Sequence, residues 1–418
     1  MTVQLKPRRL EPLVAEALDA FRVVVVTGPR QAGKTTLVRQ TLGEGGTFAR
    51  LDDEATLQAA MADPGGFATF GHQPRAFDEI QRAGDALVRA IKVVVDGDRS
   101  PGQFLLNGSA DFLTVPTISE SLAGRAAFLE LWPFSQGELH GAPDGFLARV
   151  LRDPDHLLHG QPSPLTIDDY LERVCMGGFP EAVTMAASAR RTWFRNYVRT
   201  VTQRDITELT GARRARQLPK LLAMLAARTA GELVVTQVHD ASDMGSRATT
   251  EDYISFLQMT YLVHLVPSWS RNLTRKVTRH PKVHVTDTGV AAHILGSNPD
   301  SLRRPTDSAR GPLLETFVSN ELLRQASWSE IDVRLHHLRD RDGAEIDFIA
   351  EAADGRVVAI KVKASSSATP DDARWLAWLR DKIADDYVCG VVLYAGQRAF
   401  RLGDRLLALP ISYLWLAD

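Results

Sequence analysis

Residues 21–36 read "FRVVVVTGPRQAGKTT", and this stretch decides the fold. Val23, Val24, Val25 and Val26 form a β-branched run without polar alternation, the pattern of a strand covered on both faces of a parallel sheet. The run ends at Gly28, and Gly28, Gly33, Lys34 and Thr35 follow the spacing G-x₄-G-K-T. A glycine-rich turn between strand and helix lets successive backbone N–H groups close around a phosphate, where the helix dipole favours anions. On this pattern Gly28, Pro29, Arg30, Gln31, Ala32, Gly33, Lys34, Thr35 and Thr36 form a nucleotide cradle. Lys34 reaches the β- and γ-phosphates, and the Thr35 hydroxyl ligates Mg²⁺. ATP or GTP, with Mg²⁺, is the expected ligand.

Outward from the loop, the apolar runs "TFARLDD", "RAFDEI", "QFLLNGS" and "AAFLELWPF" alternate with helical segments such as "DALVRAIKVVVDG". Strand–helix alternation at this spacing predicts an α/β domain with a parallel sheet over residues 1–140. In "RAFDEIQR", Asp78 ends a strand and holds Mg²⁺ through water, while the adjacent Glu79 orients the attacking water. The competing reading makes both acids surface caps of the next helix. Arg75 leaves that strand less apolar than its neighbours. Asn107 or Ser109, in "FLLNGSADF", is placed to sense the γ-phosphate. Arg125, after a glycine turn, either neutralises transition-state charge, in cis or from a neighbouring subunit, or makes an ordinary surface salt bridge.

A chain of 418 residues exceeds one core, so two or three domains are expected. Hydrophobic content of 44% with 24% charged residues is that of an ordinary soluble protein, and a net charge of −2 excludes a uniformly basic nucleic-acid binder. Cys175 and Cys389 stand alone, so a disulfide framework or zinc site is not indicated and a reducing cytoplasm is the expected compartment. Neither a signal-peptide core nor a membrane-spanning run is present in the sequence, so no membrane partner is expected.

Residues 141–212 read as a helical connector, 213–300 as helices followed by a β-hairpin, which suggests a winged helix, and 301–418 as a small α/β domain with a mixed sheet. The segment from Arg190 to Arg216 carries Arg190, Arg191, Arg195, Arg199, Arg204, Arg213, Arg214 and Arg216 against two acids. Arg195 and Arg199 share one helical face. Where the wing would lie, Arg271, Arg275, Lys276, Arg279 and Lys282 occur without an acid. Such concentration is the electrostatic footprint of a DNA-binding face, or equally of a solvated basic surface. Glu251 and Asp252 open the candidate recognition helix and count against DNA there. Trp193, Phe194 and Tyr197 sit at helical spacing, as core residues do. In the last segment Glu345 and Asp347 share a strand face, and the next strand ends Lys361-Val362-Lys363. A carboxylate beside acid-x-Lys would hold Mg²⁺ for phosphodiester cleavage, but the acid position is Lys361, which repels a metal and supplies no oxygen.

The blocks "GPRQAGKTT", "FDEIQR", "NGSADF", "SESLAGR", "ELWPFSQGEL", "GGFPEAV", "HPKVHVTDTGVAAHIL", "GPLLETFVSNEL" and "GAEIDFIAE" make the chain resemble the AAA-like ATPases of the AAA_14/DUF4143 type, from about residue 20 onward. The resemblance implies a P-loop ATPase domain using ATP, a winged helix, and a restriction-endonuclease-like α/β domain of the PD-(D/E)xK kind. It maps that site's first carboxylate onto Asp347, a further acid onto Glu315, the second carboxylate onto Lys361 and the lysine onto Lys363, so the site is degenerate. The expected function is a Mg²⁺-dependent ATPase whose nucleotide state controls a DNA-binding winged helix and a degenerate nuclease-like domain. Two other functions stay open: an ATP-gated nuclease, rescued by Glu345 or another acid, and a nucleotide-gated, antitoxin-like protein-binding regulator that never touches DNA. A protein partner or a second copy of the chain is also left open.

Overall fold

The computed structural model describes residues 5–108, 122–205, 217–242, 244–270, 279–340 and 343–416. Ser109, Arg213, Arg214, Arg216, Arg271, Arg275 and Lys276 lie outside the described residues, as does the side chain of Arg204. By its contacts the chain divides into two compact units. One is Met1–Phe134 with Met259–Tyr261, and the other is Ser135–Gln258 with Leu262–Asp418.

In the first unit β1 (Val23–Thr27), β2 (Thr47–Arg50), β3 (Arg75–Asp78), β4 (Phe104–Asn107) and β5 (Ala126–Glu130) form a parallel sheet in the order β2-β3-β4-β1-β5. Val23 and Val25 enter one apolar layer with Phe77, Leu87 and Leu106, whereas Val24 and Val26 enter the other with Val14, Leu37 and Leu105. Side chains alternate along a strand, so one run of valines feeds two cores, each burial contributing on the order of 1.5–3 kcal/mol. Because every strand runs the same way, Thr27, Asp78, Asn107 and Glu130 end at the same edge of the sheet. Arg75 is tolerated inside β3 because its guanidinium donates to the Thr69 and Phe70 carbonyls at 3.0 and 3.2 Å.

The second unit begins with short helices, of which Gln136–His140 is closed by a capping box between Ser135 and Glu138. The helix Leu218–Ala226 leads to β6 (Gly231–Glu232), the helices Val235–Asp240 and Arg247–Met259, then β7 (Val263–Val266) and β8 (Lys282–Val285). These strands form an antiparallel sheet in the order β6-β8-β7. A mixed sheet follows, of β9 (Val333–Arg339), β10 (Glu345–Ala352), β11 (Val357–Lys363), β12 (Tyr387–Tyr394), β13 (Phe400–Gly403) and β14 (Leu406–Pro410), ordered β13-β14-β12-β11-β10-β9. The helix Arg310–Trp328 packs Leu313, Leu314 and Phe317 on one face, with Phe348 and Ile360. The helix Arg374–Ile383 packs Leu376 and Leu379 on the other, with Ile346 and Ala359. The borders read from sequence at 212 and 300 are not breaks in packing. One apolar core runs from Phe146 through Leu221, Val283 and Phe348 to Trp415.

Two of the sequence blocks meet inside this unit. Asp287 caps the helix Thr288–Leu295 by accepting the Val290 N–H at 3.1 Å, and its other oxygen accepts the Gly178 N–H at 2.7 Å. Gly177 has φ +70°, and a Cβ there would stand 2.3 Å from an Asp287 carboxylate oxygen. The glycines of "GGFPEAV" therefore answer to the aspartate of "TDTG". No helix among the described residues is long and apolar enough to cross a membrane. Gly177→Ala is expected to lose about 2 kcal/mol or more in denaturant unfolding, since it combines left-handed backbone with a collision against a buried cap.

Candidate functional site

The loop after β1 is shaped by a close approach. A Cβ on Gly28 would fall 2.2 Å from the Leu131 carbonyl oxygen, so no side chain fits there. Gln31 adopts a left-handed conformation with φ +62°, which helps turn the loop. Lys34 opens the helix Lys34–Leu42, is buried, and donates to the carbonyls of Gly28 and Pro29, both at 2.9 Å. Burial pushes its ammonium down to about 8, opposed by the nearby carboxylates of Glu79 and Asp78. Arg8 braces the loop from the N-terminal segment, donating to the Ala32 carbonyl at 2.7 Å and the Trp132 carbonyl at 2.6 Å.

Thr35, on the same helix, places its hydroxyl 3.0 Å from both carboxylate oxygens of Asp78. Asp78 is buried, and that burial raises its carboxyl above the ordinary range against hydrogen bonds from Asn107 and Thr35. A hydroxyl and a carboxylate in contact, beside a phosphate loop, are the hard oxygen donors that Mg²⁺ takes. The donor set fits that ion. Glu79 follows with φ +57° and ψ +45°, a left-handed turn that swings its side chain out of the strand direction. Its N–H donates to Asn107 Oδ1 at 3.2 Å, and its carboxylate accepts from the Gln81 amide at 2.5 Å. Asn107 thus holds the backbone of Glu79, the residue next to Asp78. At the end of β1, the Tyr261 hydroxyl lies 3.1 Å from Thr27 Oγ1 and 3.2 Å from Glu130 Oε1.

Arg125 is not part of this constellation. It precedes Ala126, which pairs with Val23 at the start of β1, while the loop follows Thr27 at the other end. Four residues of strand, about 13 Å, separate the two edges. Arg125 instead donates to both oxygens of Asp96, at 2.5 and 3.0 Å, in a solvent-exposed pair. A role on the nucleotide of its own chain is corrected on that ground.

In the second unit, Asp347 is fully buried, next to a shift of register between β9 and β10. Its Oδ1 lies 2.8 Å from Lys361 Nζ, and its Oδ2 accepts the Val362 N–H at 2.8 Å. Burial acts against the Asp347 charge, but Lys282 and Lys361 outweigh it and hold the carboxyl below its usual range. Lys282, from β8, reaches Glu315 at 2.7 Å and both Glu345 and Asp347 at 3.4 Å. Burial and Asp347 push the Glu315 carboxyl up to about 7, against the pull of Lys282. Lys363 does not join the cluster, because its ammonium pairs with Asp372. No group of three or more His, Cys, Asp or Glu side chains among the described residues is arranged to hold a metal ion.

Of the basic residues, Arg191, Arg195 and Arg199 lie exposed along the helix Ala187–Thr200. Arg190 turns inward and donates to the Ala182 and Met185 carbonyls at 3.0 and 2.8 Å. Trp193 stacks on Tyr197 at 5.1 Å and meets Phe179 at 5.2 Å, so these aromatics are packing residues. Arg8, Gln81, Tyr261 and Lys282 are the site residues that sequence reading passed over. The basic "KPRR" ahead of the first helix and the lysine in the acid-free run were the signals available.

Family models match the chain in succession: an AAA domain (AAA_14) over residues 20–140, a domain of unknown function (DUF8612) over 167–301, and another (DUF4143) over 310–414. Two curated relatives, uncharacterized proteins of Mycobacterium bovis and Mycobacterium tuberculosis, are each 28% identical over 406 residues, 95% of this chain and 82% of theirs. Among solved structures, the Walker-type ATPase of Pyrococcus abyssi aligns at 14% identity and a TM-score of 0.43, over 70% of this chain and 99% of that one. The Holliday junction branch migration motor RuvB of Thermotoga maritima aligns at 17% identity and a TM-score of 0.26, over 62% and 87%.

The Lys34 environment sets a pH dependence. The ammonium form pairs with phosphate, so above pH about 8 nucleotide binding must first take up a proton. The dissociation constant of a triphosphate, titrated between pH 7 and 10, is expected to rise above pH 8 towards a limit of about tenfold per pH unit.

Proposed function

We propose that this AAA-like ATPase of the AAA_14/DUF4143 type binds ATP with Mg²⁺ in the loop 28–36, and that its nucleotide state controls a DNA-binding winged helix. The observation that carries the reading is the contact of Thr35 with Asp78, with Glu79 next in the chain and Lys34 beside it. In this reading the Lys34 ammonium leaves the Gly28 and Pro29 carbonyls for the β- and γ-phosphates. Thr35 and Asp78 hold the Mg²⁺, which when bound neutralises charge on the phosphate oxygens. Glu79, fixed through its N–H by Asn107, orients and polarises the attacking water.

The winged-helix reading is supported by element order. A helix, a short strand, two helices and a two-stranded hairpin, with β8 central in β6-β8-β7, is the arrangement that motif requires. The exposed row Arg191, Arg195 and Arg199 supplies a basic face nearby in sequence. On the opening turn of the helix Arg247–Met259, Glu251 is held by Arg247 at 2.9 Å, which offsets its charge towards a phosphate. Nuclease activity is disfavoured, because two ammonium groups already neutralise Asp347. In this view the nuclease-like sheet is a structural support.

Lys34→Ala is expected to abolish triphosphate binding. Glu79→Gln is expected to keep binding while turnover falls about 100-fold or more. If neither substitution slows ATP hydrolysis, the site is wrongly assigned. In gel shifts the intact chain should bind duplex DNA with an affinity that drops steeply as salt rises. Absence of any shift at low salt, with and without ATP, would leave the protein-binding regulator as the better reading.

A further inference from the structure

Lys282 is an unusual group to find where it is. It begins β8, its side chain is 1% exposed, and its ammonium is enclosed by carboxylates from two other elements. Glu315 comes from the helix Arg310–Trp328, and Glu345 and Asp347 come from β10. A cation taken out of water this completely is stable only if its anions surround it. The attraction is mutual: Asp347, Glu315 and Glu345 together overcome the burial that opposes charge on Lys282.

The hairpin that Lys282 belongs to is tied to the C-terminal sheet at a second place. The Trp269 N–H donates to the His337 carbonyl at 2.6 Å, and the His337 N–H donates to the Pro267 carbonyl at 2.9 Å. The Trp269 indole donates to Glu351 at 3.2 Å. Just before β8, the His280 carbonyl lies 3.0 Å from the His337 ring. Both ends of the segment between β7 and β8 therefore rest on β9 and β10; Lys282 makes the buried charged part of that attachment, and Arg279 adds a more exposed pair with Asp340 at 3.5 Å.

We propose that Lys282 is the built-in cation of this carboxylate set, and that the set serves to seat the β7–β8 hairpin on the C-terminal sheet rather than to hold a metal. A divalent ion at the same place would meet two ammonium groups, Lys282 and Lys361, and lose to a cation that is tethered to the chain. The described ends of the run that carries Arg271, Arg275, Lys276 and Arg279 are thereby held on the C-terminal sheet. This inference does not depend on what that segment binds, nor on the ATPase reading.

The test uses the full-length chain with three measurements. Asp78→Asn protein, which lacks the nucleotide-site carboxylate, is titrated with Mn²⁺ and free Mn²⁺ is read by EPR. No bound Mn²⁺ that disappears on adding Asp347→Asn is the expected result. Native protein is then treated with an acetylating reagent and mapped by mass spectrometry. Lys282 should react on the order of tenfold or more slowly than the exposed Lys382, since it reacts only on opening. Finally, Lys282→Met should lower the melting temperature by several degrees and speed amide exchange in β7 and β8. Mn²⁺ binding that requires Asp347, or acetylation of Lys282 as fast as Lys382, would overturn the proposal. So would a Lys282→Met protein as stable as its parent. Should that variant not fold, the first two measurements decide.

Discussion

The nucleotide site depends on one side-chain contact across the sheet. In the order β2-β3-β4-β1-β5, the strand that carries the phosphate loop is not next to the strand that carries Asp78. β4 lies between them, so roughly 9–10 Å must be bridged. Thr35 spans that gap from the first turn of its helix and meets Asp78 at 3.0 Å. Asn107, at the end of β4, fills the space below by binding the Glu79 N–H. The rest of the first unit secures these three ends. The buried valines fix β1 between two cores, Gly28 lets the loop pass over the Leu131 carbonyl, and Arg8 ties the loop at Ala32. Moving any of them displaces Thr35 relative to Asp78.

The second unit solves a different problem with the same ingredients. Three carboxylates converge in its interior, and their charge has to be compensated. A metal ion would do this reversibly and leave an open position for chemistry. A lysine does it permanently, with no site for a substrate, and it brings its own strand along. The two units thus differ in kind. Around Asp78 the oxygen donors face a loop made for phosphate, whereas around Asp347 every acid faces an ammonium.

The fold of the first unit was legible in the sequence, for a physical reason. The phosphate loop is a local motif whose geometry follows from a few adjacent residues, so Gly28 to Thr36 could be placed by reading alone. Asp78 could be expected at a strand end near the loop from the apolar run that precedes it, and the structure places it there. The lysine at position 361, where a metal site would need an acid, could be read from the sequence; that it pairs with Asp347 is seen only in the structure. Lys282 could not be found that way, since it lies 65 positions from Asp347 and comes from another sheet. Of the readings open for Arg125, the structure shows the surface salt bridge, with Asp96, at the sheet edge opposite the loop. The borders at 212 and 300 do not appear as breaks in the packing, because local pattern marks elements whereas long-range packing decides which of them share a core.

The proposed coupling joins ATP chemistry in the first unit to nucleic acid at the second. The most direct measurement is the Mg²⁺-dependent ATP hydrolysis rate of the intact chain with and without duplex DNA, over a range of salt. Coupling would make DNA change the hydrolysis rate severalfold at low salt, with the difference vanishing as salt rises. A measurable rate that is the same with and without DNA at every salt concentration would contradict the coupling, and absence of hydrolysis under all conditions would contradict the account as a whole.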